Sequence, residues 1–152
     1  MRAVVNSYFE SKIRREGVSE DGTPCKISEL YVVAAVSFTD CEARITKYLS
    51  EFASGEFEVL TESHAPFGEV FFSDDGKDDK YYKCRVSFEL VDERTAKVKK
   101  SKVTYLVQGS SIDSAKRNLD EVMSQGICGY SVEAIHETAI VDVVNAEKAQ
   151  EQ

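Results

Sequence analysis

No apolar run in the sequence approaches the ~18 residues needed to cross a bilayer as a helix. Residues 1–9 lack the basic stretch and following hydrophobic segment of a secretion signal, so the chain is expected to remain in the cytoplasm, with no membrane partner. Cys25, Cys41, Cys84 and Cys128 include no C-x-x-C pair. Scattered cysteines of this kind read as reduced thiols rather than a disulfide or zinc framework, and no metal is expected. The sequence has no G-x-x-x-x-G-K-S/T loop, no G-x-G-x-x-G, no G-x-S-x-G elbow and no H-E-x-x-H. Phosphate cradles, Rossmann sites, hydrolase nucleophiles and zincins therefore have no support, and the chain reads as non-enzymatic, without a cofactor. Cations are outnumbered, 19 lysines and arginines against 27 aspartates and glutamates, for a net charge of −8. That balance argues against nonspecific duplex binding, which is driven by phosphate neutralisation, but leaves room for a local basic face.

Against these absences stands an ordinary globular composition, 42% hydrophobic and 30% charged over 152 residues. A chain of this length buries roughly 68–70% of its unfolded surface, enough for a core, and a single domain over residues 1–152 is the expectation.

The chain repeats itself. Tyr8-Phe9-Glu10-Ser11-Lys12-Ile13 aligns with Tyr81-Tyr82-Lys83-Cys84-Arg85-Val86, 73 residues on (8 to 81), and both alternate apolar with polar residues as half-buried strands do. Tyr31-Val32-Val33-Ala34-Ala35-Val36-Ser37 aligns with Tyr105-Leu106-Val107-Gln108-Gly109-Ser110-Ser111, a second strand in each copy. A helix follows each. Thr39 with Glu42 has the spacing of a capping box, and Ser111 or Asp113 caps the second helix. Phe38, Cys41, Ile45, Tyr48, Leu49 and Phe52, and in the second copy Ile112, Ala115, Leu119, Val122 and Met123, recur at helical spacing as apolar stripes that must be buried.

After Gly55 and Gly126 come long extended segments, residues 57–72 and 130–144, the first broken by Ala65-Pro66, where a bend, bulge or edge position is expected. The polar run at 73–79 reads as a hairpin loop. The pattern predicts an α+β protein, internally duplicated as (ββαβ)×2 over residues 8–72 and 81–144, with a mainly antiparallel sheet and two helices packed on one face. The copies are expected to share one sheet or one core, and residues 145–152 to form a polar tail or frayed helix end.

The block from Tyr31 to Ile45, Glu69-Val70-Phe71-Phe72, and Glu137-Thr138-Ala139-Ile140-Val141-Asp142-Val143 resemble a family of small proteins from gut Bacteroidetes and their tailed phages, described as a domain of unknown function. The resemblance spans nearly the whole chain and implies a cytoplasmic bacterial or phage protein. Its motifs concern the fold, so it transfers no catalytic residue.

His64 and His136 read as surface or sheet-face histidines, Cys84 as a small core residue, and Asp74, Asp75, Asp78 and Asp79 as solvated loop acids, since an EF-hand spacing is missing. One constellation carries chemistry. Tyr81, Lys83, Arg85 and Ser87 should share a face of one strand, and Lys97, Lys99, Lys100 and Lys102 should join them from the next strand of a hairpin. Tyr8, Lys12, Arg14 and Lys26 echo this in the first copy. Cations follow phosphates and aromatic rings stack bases, so the face suggests a binding protein for single-stranded nucleic acid. Lysines on exposed strands also block edge pairing. A small-ligand binder or sponge for a nucleotide signal, and a self-associating or protein-binding scaffold, are the alternatives, with a homo-oligomer expected in the latter case.

Overall fold

A computed structural model describes residues 7–52, 55–126 and 129–145; Cys128 and the tail from residue 146 lie outside them. Among the described residues, eight strands and two helices follow one another as β1 (Ser7–Val18), β2 (Pro24–Ala35), α1 (Phe38–Phe52), β3 (Phe57–His64), β4 (Glu69–Phe71), β5 (Lys80–Val91), β6 (Val98–Gly109), α2 (Ile112–Met123), β7 (Tyr130–Glu137) and β8 (Ile140–Val144). No described helix is long and apolar enough to cross a membrane.

The α+β class and the doubled ββαβ order are as the sequence predicts. The single shared sheet is not: the strands form two four-stranded mixed sheets, in the orders β3-β1-β2-β8 and β4-β6-β5-β7. The long segment after each helix breaks in two, at residues 65–68 and 138–139, and the halves go to different sheets. Thus β4 follows β3 in the chain but pairs in parallel with β6, and β8 follows β7 but pairs in parallel with β2. The two repeats exchange their last strands. One compact unit contains described residues 7–65 and 139–145, the other residues 66–138.

Within the first unit α1 covers one face of its sheet. Phe9 and Ile13 of β1, Tyr31, Val33 and Ala35 of β2, Val144 of β8 and the helix residues Cys41, Ile45 and Leu49 form its core. The second unit repeats the arrangement, with Tyr82, Cys84 and Val86 of β5, Val107 of β6, and Ala115 and Leu119 of α2. Even the irregularities repeat: the β1–β3 register shifts at Lys12/Ile13 and the β5–β7 register at the equivalent Arg85/Val86.

Some local expectations are corrected. The α1 cap is Ser37, not Thr39: Ser37 Oγ accepts from the Asp40 N–H at 3.1 Å, while the Asp40 carboxylate accepts from the Val36 N–H at 3.0 Å. Ser111 caps α2, and Ser114 plays the reciprocal part toward the Ser110 N–H. Phe38, Phe52 and Ile112 lie on the exposed margins of their helices, because the stripe facing the sheet is narrower than the apolar set. The 73–79 run is not a hairpin loop, since β4 and β5 lie on either side of β6. Nor is Asp78 a solvated acid. It is buried and accepts from Ser73, from Ser114 at 2.9 Å and from Asn118 at 3.1 Å, which holds its carboxyl below the usual range.

Candidate nucleic-acid interface

The β5–β6 hairpin joins two twelve-residue strands, of which only the inner parts are flanked. β7 pairs with β5 as far as Phe88, and β4 pairs with β6 only from Tyr105 to Val107. The outer portion projects as a two-stranded ribbon, closed by the Asp92–Lys97 turn, in which Ala96 takes a positive φ of 54°. The edge of β6 from Val98 to Val103 is unpaired among the described strands.

Register decides which cations share a face. Directly opposed residues of an antiparallel pair project to the same side. Arg85 stands opposite Thr104, Ser87 opposite Lys102 and Glu89 opposite Lys100, with Lys83 farther along β5. Lys83, Arg85, Lys100 and Lys102 are all exposed on the face turned away from α2. Lys99 stands opposite Leu90 and so belongs to the other face, and Lys97 lies in the turn; the expectation that all four lysines share one face is therefore wrong for these two.

The aromatic component fails as well. Tyr81 is only 2% exposed and Ser87 4%, so Tyr81 offers no ring for stacking. The face is also partly neutralised. Glu133 of β7 lies 3.8 Å from Arg85 and 3.5 Å from Lys102. Exposed pairs of this kind stabilise by ~1 kcal/mol at most, so they limit the positive field more than they hold the fold. Lys83 and Lys100 have no ion-pair partner among the described residues. Glu133 escaped the sequence reading because neither the β5–β7 pairing nor the bulge beside it leaves a local signal.

The first-copy residues belong to the other unit, where the β1–β2 register sets Tyr8, Lys12, Arg14 and Lys26 on one face, interleaved with acids. Tyr8 is half-buried, Lys12 is exposed, and Arg14 donates through Nε to Glu58 Oε1 at 2.7 Å. Lys26 stands opposite Glu16 near the end of the β1–β2 hairpin. Packing accounts for two of the titratable candidates, His64 and Cys84. His64 packs against Phe9 and Phe38, each ring centroid 4.8 Å away. His136 is exposed opposite Lys83. Burial pushes the Cys84 thiol up to about 11, far from a reactive thiolate.

No curated protein and no solved structure matches this chain. A family model does, over residues 7–146, which takes in all ten elements of the two exchanged repeats. The chain belongs to the family described as domain of unknown function DUF4494.

Proposed function

We propose that the protein is a non-catalytic binding module that holds single-stranded nucleic acid along the β5–β6 hairpin, chiefly through the phosphates. The observation that carries this reading is the register that sets Lys83, Arg85, Lys100 and Lys102 on one exposed face. Arg94 and Lys97 near the turn and Lys99 on the reverse face add charge to the ribbon, so a strand following it stays within reach of cations. A net charge of −8 makes this a local attraction against a repelling background, which confines an anion to the hairpin. Base stacking on Tyr81 is not part of the mechanism. A cytoplasmic bacterial or phage setting accords with the family resemblance.

The test is fluorescence anisotropy of a labelled oligothymidylate at low salt. Wild-type protein should bind with affinity that falls as salt rises, by a slope of about −0.7 per phosphate neutralised. Changing Lys83, Arg85, Lys100 and Lys102 together to glutamate should abolish binding with thermal stability nearly unchanged. Equal affinity in wild type and quadruple variant would refute the proposal.

A further inference from the structure

In the first unit a bulge re-aims an acid. Thr61 pairs with Lys12 and Val59 with Ile13, leaving Leu60 as the extra residue of β3. Val59 and Glu62 are three positions apart and would face opposite sides of a regular strand; with the extra residue both turn to the face that α1 covers. Glu62 then stands directly opposite Ser11, which is wholly buried between Phe9 and Ile13 on the same face. The Ser11 hydroxyl and Glu62 Oε1 are both buried, and neither has a hydrogen-bond partner among the described residues. Groups of this kind cost free energy unless something satisfies them.

Beside them a cleft of 320 Å³ opens between α1 and β3, walled by Phe38, Val59 and Leu60, with Glu42, Thr61 and Glu62 as its polar groups. Phe38 and Glu42 lie one helical turn apart and share a face of α1. Burial first, and then the charge of Glu42, raise the Glu62 carboxyl above its usual range. Two carboxylates share one partly apolar site, and no cation lines it among the described residues.

The second repeat is an internal control. Ser11 and Glu62 correspond to Cys84 and Ile135, which also stand opposite one another, buried and half-buried. Aligning the caps Ser37 and Ser111 matches Glu42 with Lys116 and Phe38 with Ile112. The same backbone position is thus filled with an apolar pair and a cation in one unit, and with an unsatisfied polar pair and a second acid in the other. The polar pair is not required by the fold.

We propose that this cleft binds a small aliphatic amine in its ammonium form, such as an alkyl monoamine or diamine. The ammonium donates to Glu62 and Glu42, and its carbon chain lies on Phe38, Val59 and Leu60. A metal ion fits less well, because no three histidine, cysteine, aspartate or glutamate side chains come together among the described residues. The site is independent of the hairpin, and its failure leaves the nucleic-acid reading untouched.

The experiment is titration of the full chain with 1,4-diaminobutane and n-butylamine by calorimetry and amide NMR, with butanol and magnesium chloride as controls. Saturable binding of the amines, with shifts confined to β3, β1 and the first turns of α1, is expected, and neither control should reproduce it. Glu62→Gln and, independently, Glu42→Gln should each weaken binding at least tenfold. The double variant Ser11→Cys/Glu62→Ile, which installs the second repeat's pair, should lose binding and melt higher than wild type. No saturable binding at millimolar amine, equal affinity in both glutamine variants, shifts reproduced by magnesium, or a lower melting temperature in the double variant would each overturn the proposal.

Discussion

Tyr48 of α1 donates a hydrogen bond to Asp142 of β8 at 3.0 Å, joining residues 94 positions apart within one unit. The bond ties the helix of the first repeat to the strand that the second repeat supplies. Val144 of the same strand is 2% exposed and lies in the core under α1. Val144→Ala removes two carbons from that core and should cost about 2 kcal/mol, measured by denaturant unfolding. In hydrogen exchange its effect should be largest in β2 and α1, far from β8's chain neighbour β7. A loss concentrated in β7 would mean that β8 does not pair with β2.

The same tyrosine predicts an alkaline weakness. Burial, then the charge of Asp142, raises the Tyr48 hydroxyl above its ordinary value, and burial, then Glu29, pushes Tyr31 up to about 12. A folded-state pKa above the unfolded value of ~10 means that the contribution is whole below pH ~10 and lost as pH rises through the folded values. Stability should therefore fall between pH 10 and 12. Tyr48→Phe, costing about 1 kcal/mol at neutral pH through the lost bond, should fall less steeply over that window. Parallel curves for variant and wild type would contradict the assignment.

Gly109, at the end of β6, is where α2 comes closest. A Cβ added there would lie 2.8 Å from the backbone nitrogen of Ala115 and 2.9 Å from its Cα. Backbone cannot give way as a side chain can, so Gly109→Ala should cost roughly 1–3 kcal/mol in thermal or denaturant unfolding. The equivalent position in the first repeat is Ala35, fully buried, which shows that the architecture itself admits a methyl group there. A neutral Gly109→Ala would mean that α2 can take the position of α1.

Particular residues show what the sequence could carry. The alternation in Tyr8–Ile13 and Tyr81–Val86 and the helix positions Ile45, Leu49 and Leu119 were legible, since burial on one face imposes a period that survives in the composition. The strand exchange was not. Glu69–Phe71 and Ile140–Val144 read as strands, and Pro66 signals a break, but nothing local says that β8 lies beside β2 rather than on from β7. Tyr81 misled for a related reason: alternation separates the two faces of a strand without saying which is covered, and Tyr81 and Tyr82 are both buried. Alternation alone puts Lys99 and Lys100 on opposite faces; which of the two joins Arg85 rests on the Asp92–Lys97 turn, whose geometry fixes the register.

Glu133 supplies the sharpest test of the hairpin surface. It lies within 4 Å of both Arg85 and Lys102, at 3.8 and 3.5 Å, and so competes with any phosphate for two of the four cations on that face. Removing its charge frees both without altering the strand register, because its partners are exposed side chains. Glu133→Gln should therefore tighten oligothymidylate binding several-fold at low salt and steepen the salt dependence, since a newly engaged phosphate releases about 0.7 more counterions. Stability should change by no more than about 0.5 kcal/mol, as is usual for exposed charges away from the core. The gain should vanish when Arg85 and Lys102 are also changed to glutamine, which distinguishes release of these two side chains from a general reduction in negative charge. Tighter binding that survives the triple change would place the nucleic acid elsewhere on the protein.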